Sequence, residues 1–107
     1  MVSALINLVL NAIEAAGPGG KVSFLTQKVS IGEIPMIRWT VTDDGQGPTQ
    51  KVAETMFEPF FTTKREGVGL GLAMSKQVAE GQQGTLCWER RDNTTRFMMD
   101  VRPISWE

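Results

Sequence analysis

Three glycine clusters break this chain, and that punctuation confines it to short elements. Gly17-Pro18-Gly19-Gly20 closes the first apolar segment and Asp43-Asp44-Gly45-Gln46-Gly47-Pro48 ends a strand-like run. Gly67-Val68-Gly69-Leu70-Gly71-Leu72 opens a helical pattern that Gly81 stops. Such clusters are poor helix or strand interior, so each element must fit between two of them. From Leu5 to Ala16 the apolar residues recur at helical spacing, with Leu5, Val9, Ala12 and Ala16 on one side and Asn7, Asn11 and Glu14 close together on another. Val22 to Lys28 reads as a strand with Val22, Phe24 and Thr26 on one face, and Ile37, Trp39 and Val41 alternate in a second. A short helix around Gln50 to Met56 and a longer one from Leu70 to Ala79 follow, and Thr85 to Arg90 and Thr95 to Val101 flank Asp92-Asn93 as a β-hairpin. This order predicts an α+β fold, a two-layer sandwich of two or three helices over a mostly antiparallel sheet.

Composition removes several classes of function. At 107 residues and 41% hydrophobic content the chain makes one domain, 1–107, with no room for a second core. Eleven Lys and Arg against twelve Asp and Glu leave a net charge of -1, so no field favours nucleic acid or an anionic membrane as a partner. The longest apolar stretch, Val2 to Ala16, is interrupted by Ser3, Asn7, Asn11 and Glu14 and is too short to span a bilayer, which argues against direct membrane insertion. One cysteine, Cys87, and no histidine exclude an internal disulfide and leave few zinc or haem ligands. A reducing, cytoplasmic setting is the expectation.

Four sets of residues carry chemistry. Asn7 and Asn11, four apart on one helical face, offer neutral oxygen ligands for Mg²⁺ or donors to phosphate; the alternative is that they satisfy buried backbone groups. Asp43, after the Ile37–Val41 strand, supplies an acceptor for an exocyclic amine such as adenine's, and Gly45 and Gly47 let the chain bend around a flat ligand; an ordinary turn is the competing reading. The run from Gly67 through Val68, Gly69 and Leu70 to Gly71 exposes successive backbone N–H groups near a helix start, suited to phosphate or to a packing turn. It matches neither the dinucleotide fingerprint nor the P-loop. Phe57, Phe60 and Phe61 can anchor a short cover made by Thr62, Thr63, Lys64, Arg65 and Glu66, in which Lys64 is either a γ-phosphate contact or a surface charge.

Taken in order, these motifs resemble the catalytic domain of sensor histidine kinases, within the wider family that includes the gyrase, Hsp90 and mismatch-repair MutL ATPases. Leu5-Ile6-Asn7-Leu8-Val9-Leu10-Asn11-Ala12 is similar to the N box, Asp43-Asp44-Gly45-Gln46-Gly47 to the first glycine box, Phe57-Glu58-Pro59-Phe60-Phe61-Thr62-Thr63-Lys64 to the F box, and Gly67-Val68-Gly69-Leu70-Gly71-Leu72-Ala73 to the second glycine box. The resemblance implies a Bergerat-type fold binding ATP with Mg²⁺. Asn11 would help coordinate the ion and Asp43 read adenine, while Gly67, Gly69 and Gly71 shape the phosphate pocket. Thr95-Arg96-Phe97 is similar to the terminal Thr-x-Phe strand with Thr94 in place of its usual glycine, which makes Thr95 either an adenine-side hydroxyl or a sheet-facing threonine. The F box and short cover look like those of nitrogen-regulation and oxygen-sensing kinases.

Two departures refine the expected function. Asn7 stands where the related ATPases usually have a glutamate that activates water, and an amide cannot act as that base, so transfer to a protein acceptor is favoured over hydrolysis. Glu14 stands where several sensor kinases have a basic residue. With no histidine, the chain cannot phosphorylate itself on histidine. The expectation is a protein-histidine kinase fragment, truncated at its N-terminus and lacking a first strand. It would serve a separate histidine-bearing dimerisation domain and, through it, a response regulator, with possible self-association at uncovered apolar surface. An anti-sigma-type serine kinase or a regulatory nucleotide module is the alternative.

Overall fold

The computed structural model describes residues 2–48, 50–55, 71–81 and 84–103. Helix α1 (Val2–Ala16) is followed by strands β1 (Val22–Ile31) and β2 (Ile34–Asp43), helices α2 (Gln50–Thr55) and α3 (Gly71–Gly81), and strands β3 (Thr85–Arg91) and β4 (Thr94–Val101). The strands form one sheet in the order β1-β2-β4-β3, and all three pairings are antiparallel. The α+β expectation holds, and this is the two-layer arrangement of the Bergerat fold.

Local chemistry explains the boundaries. The Gly17 N–H donates to the Ile13 carbonyl at 3.1 Å, closing the last turn of α1. Between β3 and β4, Asp92 and Asn93 have φ of 53° and 63°, as a type I′ hairpin turn requires, and the Thr94 hydroxyl donates to the Arg91 carbonyl at 2.7 Å. β2 starts at Ile34, three residues before the alternation Ile37-Trp39-Val41 would place it, because a two-residue turn over Gly32–Glu33 pairs Ile31 with Ile34. Pro35 is tolerated there because pairing of β2 with β4 begins only at Ile37. Asp43 is the last residue of β2 and not a loop residue beyond it, so its position is set by two neighbouring strands.

Helices α1 and α3 cover one face of the sheet. Ala4, Leu8 and Ala12 of α1, at most 2% exposed, form one core with Val41, Phe97, Met99 and Val101 of the sheet, Ala79 of α3 and Leu86 of β3. The spacing places Leu5, Val9, Ala12 and Ala16 on the buried side; the observed row is turned by about one position, and Leu5 and Val9 flank it half-buried. Two alanines either side of a leucine let the helix lie close to the strands. Ser75 of α3, fully buried, donates to the Ala4 carbonyl at 3.1 Å and ties the two helices together. On the opposite sheet face Arg38 makes two bonds to the Asp100 carboxylate, at 2.8 and 2.9 Å. No helix among the described residues is long and apolar enough to cross a membrane.

Because Leu8 fills the centre of this contact, Leu8→Ala should cost about 2–5 kcal/mol of folding stability in urea unfolding. Leu10, 48% exposed on the same helix, should tolerate alanine within about 0.5 kcal/mol. Equal losses at the two positions would show that α1 packs in another orientation.

Candidate functional site

Four of the predicted residues, Asp43, Gly45, Gly47 and Thr95, come together where β2 ends. Asp43 is 2% exposed, and its Oδ1 accepts from the Gly45 N–H at 3.0 Å. Asp44 anchors the following loop to the start of β1: its carboxylate accepts from the Lys21 N–H at 2.9 Å, and its own N–H donates to the Lys21 carbonyl at 3.2 Å. Gly45 lies so close to the Ala15 carbonyl of α1 that any Cβ there would overlap it. Gly47 has φ of 79°, and a Cβ on it would stand 3.0 Å from Thr95 Oγ1 and 3.1 Å from Arg90 Cδ. Both glycines are therefore required by geometry, one by close approach and one by backbone conformation.

Thr95 lies opposite Asp43 across β2 and β4 and is itself 2% exposed. Its Oγ1 accepts from Arg90 Nη1 at 2.8 Å. Asn7, Asn11 and Ala15 form one row on α1 at four-residue steps, and the two amides are half-buried. Since Ala15 touches Gly45, Asn11 sits about 6 Å and Asn7 about 12 Å further along the helix from the loop. The structure thus brings Asp43, Gly45, Gly47 and Thr95 together and aligns the asparagines on a helix that ends beside them. Gly71 opens α3. Thr62, Thr63, Lys64, Gly67, Val68, Gly69 and Leu70 lie outside the described residues.

Sequence reasoning missed Arg90, which also donates to the Gly45 carbonyl at 2.6 Å. A two-residue turn at Asp92–Asn93 dictates that Arg90 faces Thr95, so the hairpin itself carried that signal. Two other features among the described residues lie apart from this site. A depression of about 360 Å³ bordered by Glu33, Ile34, Pro35, Arg102 and Pro103 lies at the opposite end of β2. Cys87 is free, and burial raises its thiol above the ordinary value, so it offers little thiolate at neutral pH. No group of three His, Cys, Asp or Glu side chains among the described residues could hold a metal.

Burial also raises the Asp43 carboxyl above its ordinary range; the Gly45 amide and the Arg90 charge pull it back, and Asp44 adds to the rise. An ionised carboxylate has acceptor capacity beyond the one Gly45 amide.

The family described as histidine kinase-, DNA gyrase B- and HSP90-like ATPase matches residues 1–103. The sensor histidine kinase ZraS of Escherichia coli O157:H7 is 40% identical over 86 residues, 80% of this chain and 18% of that protein. The C4-dicarboxylate transport sensor protein DctB of Rhizobium meliloti is 37% identical over 100 residues, 92% of this chain and 16% of that one. Among solved structures, the catalytic domain of histidine kinase ThkA superposes with a TM-score of 0.77 at 35% identity, covering 92% of this chain and 63% of that one. The mycobacterial sensor histidine kinase MprB superposes with a TM-score of 0.74 at 27% identity, covering 95% and 72%. The chain belongs to the histidine kinase-, DNA gyrase B- and HSP90-like ATPase family. Within it, this is the ATP-binding catalytic domain of the sensor histidine kinase type, and it spans less than a fifth of the length of those two sensor proteins.

The raised Asp43 carboxyl has a consequence for stability. The folded chain holds this proton to higher pH than the unfolded chain does, so between the two values the native state binds more protons and stability falls as pH rises. The penalty is complete above the folded value. Asp43→Asn should therefore be at least as stable as the wild type in urea at pH 7, with the difference shrinking as pH falls toward the ordinary carboxylate value of 3.8. A variant that is less stable at pH 7, with its deficit closing in acid, would reverse the assigned sign.

Proposed function

We propose that this domain places Mg²⁺-ATP for transfer of its γ-phosphoryl group to a histidine on a dimerisation domain, which then passes it to a response regulator. The observation that supports it most is the seating of Asp43, a buried acceptor at the end of β2 beside two glycines that admit no side chain. Asp43 would accept from the exocyclic amine of adenine and reject guanine, whose carbonyl at that position would face an acceptor. Asn11, farther along α1, would give one amide oxygen to the ion, the phosphates supplying others. Asn7 beside it withholds a general base, and transfer to an imidazole needs none because its ring nitrogen already carries a lone pair. Bound Mg²⁺-ATP supplies the chemistry: the imidazole nitrogen bonds to the γ-phosphorus, the bond to the β-phosphate oxygen breaks, and ADP is the leaving group. Gly67, Val68, Gly69, Leu70 and Gly71 would line the phosphates with N–H groups, Thr62 and Thr63 would contribute to the cover, and Lys64 would reach the γ-phosphate. The region 1–107 acts on this reading as one nucleotide-binding unit.

The chain contains no histidine, which makes the test clean. Labelled ATP should label a supplied histidine-bearing helical acceptor in an acid-labile, base-stable form and leave a serine-bearing protein unlabelled. Serine labelling without histidine labelling would reject the reading.

In calorimetry, Asn11→Ala should weaken Mg²⁺-ATP binding more than binding of metal-free ADP. Equal losses would remove Asn11 from the metal. Lys64→Met should likewise lower affinity for ATP more than for ADP.

A further inference from the structure

Gly45 is held from two sides. On one side is the Ala15 backbone of α1, and on the other is a side chain from β3: Arg90 Nη1 donates to the Gly45 carbonyl at 2.6 Å and to Thr95 Oγ1 at 2.8 Å. The stem of the same residue lies against Gly47, with Cδ 3.1 Å and Nε 3.2 Å from where a Cβ would stand. Arg90, Thr95 and Asp43 occupy one row across three strands, since Arg90 pairs with Thr95 and Thr95 with Asp43. The guanidinium spans that row and reaches the loop, and Gly45 in turn fixes the Asp43 carboxylate through its N–H.

We propose that Arg90 is a positioning residue that sets base selectivity, holding the Gly45–Gly47 loop on Thr95 so that the Asp43 carboxylate keeps the orientation that distinguishes adenine from guanine. This deepens the nucleotide reading and rests on it. The chain of contacts runs from the guanidinium to the Gly45 carbonyl, through the Gly45 Cα to the N–H of the same residue, and so to Asp43 Oδ1. With Arg90 removed, the loop keeps its contact with Ala15 but loses the partner of its carbonyl, and the carboxylate is no longer aimed. Adenine, which needs that acceptor, loses more than guanine, which does not use it. The guanidinium charge beside Asp43 also favours the ionised carboxylate, in keeping with this role.

The test measures ATP and GTP affinity by calorimetry for the wild type, Arg90→Ala, Arg90→Lys and Arg91→Ala. Arg91 is exposed and its neighbour in β3, so its loss removes the same charge from the opposite sheet face. Arg90→Ala should lose about tenfold in ATP affinity, with the ATP-to-GTP preference falling by a similar factor. Arg90→Lys should recover part of both, because an ammonium still donates but lacks the planar fork. Arg91→Ala should stay within about twofold of the wild type. If Arg90→Ala keeps the wild-type preference, either with unchanged affinity or with equal losses for both nucleotides and a lowered melting temperature, the inference is overturned and Arg90 is at most structural. Should Arg90→Ala not fold, Arg90→Lys decides the matter by whether its ATP-to-GTP preference falls. A wild type that binds neither nucleotide overturns the underlying reading, and this inference with it.

Discussion

The seating of α1 on the sheet is the contact on which the other features depend. A narrow row of Ala4, Leu8 and Ala12 shares one core with Val41, Phe97 and Met99, and burying the leucine alone contributes about 1.5–3 kcal/mol. That contact also fixes the rotation of the helix. Once Leu8 points down, Asn7, Asn11 and Ala15 must form a row to one side of it, and that row ends at the loop after β2. Packing and site are thus set by the same rotation.

Two aspartates in the same sheet are buried to the same degree and compensated differently. Asp100, 3% exposed, accepts from Nε and Nη2 of the Arg38 guanidinium, so its charge is compensated where it stands and the pair links β4 to β2. Asp43, equally buried, receives the Gly45 amide, with the Arg90 charge acting as a further influence. Its carboxyl is correspondingly raised, and the fold bears that cost. A carboxylate fully matched inside the protein would have little to offer an arriving amine, whereas one that is incompletely matched gains by binding.

Arg90 shows how a neighbouring element can refine such a site without entering it. The Asp92–Asn93 turn sets the register of β3 on β4, and that register alone delivers the guanidinium to Thr95 and the Gly45 carbonyl. The glycine loop is consequently held between a helix backbone and a strand side chain, which restricts how far it can relax.

Much of this was legible in the residues. The helical spacing of α1, the glycine clusters that end its run and that of β2, and the hairpin around Asp92–Asn93 all follow from periodicity and turn chemistry, which act over a few neighbours. The extra length of β2 was not legible, because Pro35 reads as a break until one sees that pairing with β4 begins only at Ile37. The Ser75 bond to Ala4 spans 71 positions and the Arg90 bond to Gly45 spans 45, and no local pattern specifies which hydroxyl or guanidinium meets which carbonyl at that separation. The sequence by itself determined the elements and the chemical repertoire, because both depend on side-chain identity and short-range backbone preference. Only the tertiary structure decided which groups meet, because strand order and helix rotation are set by burial of the whole apolar surface at once.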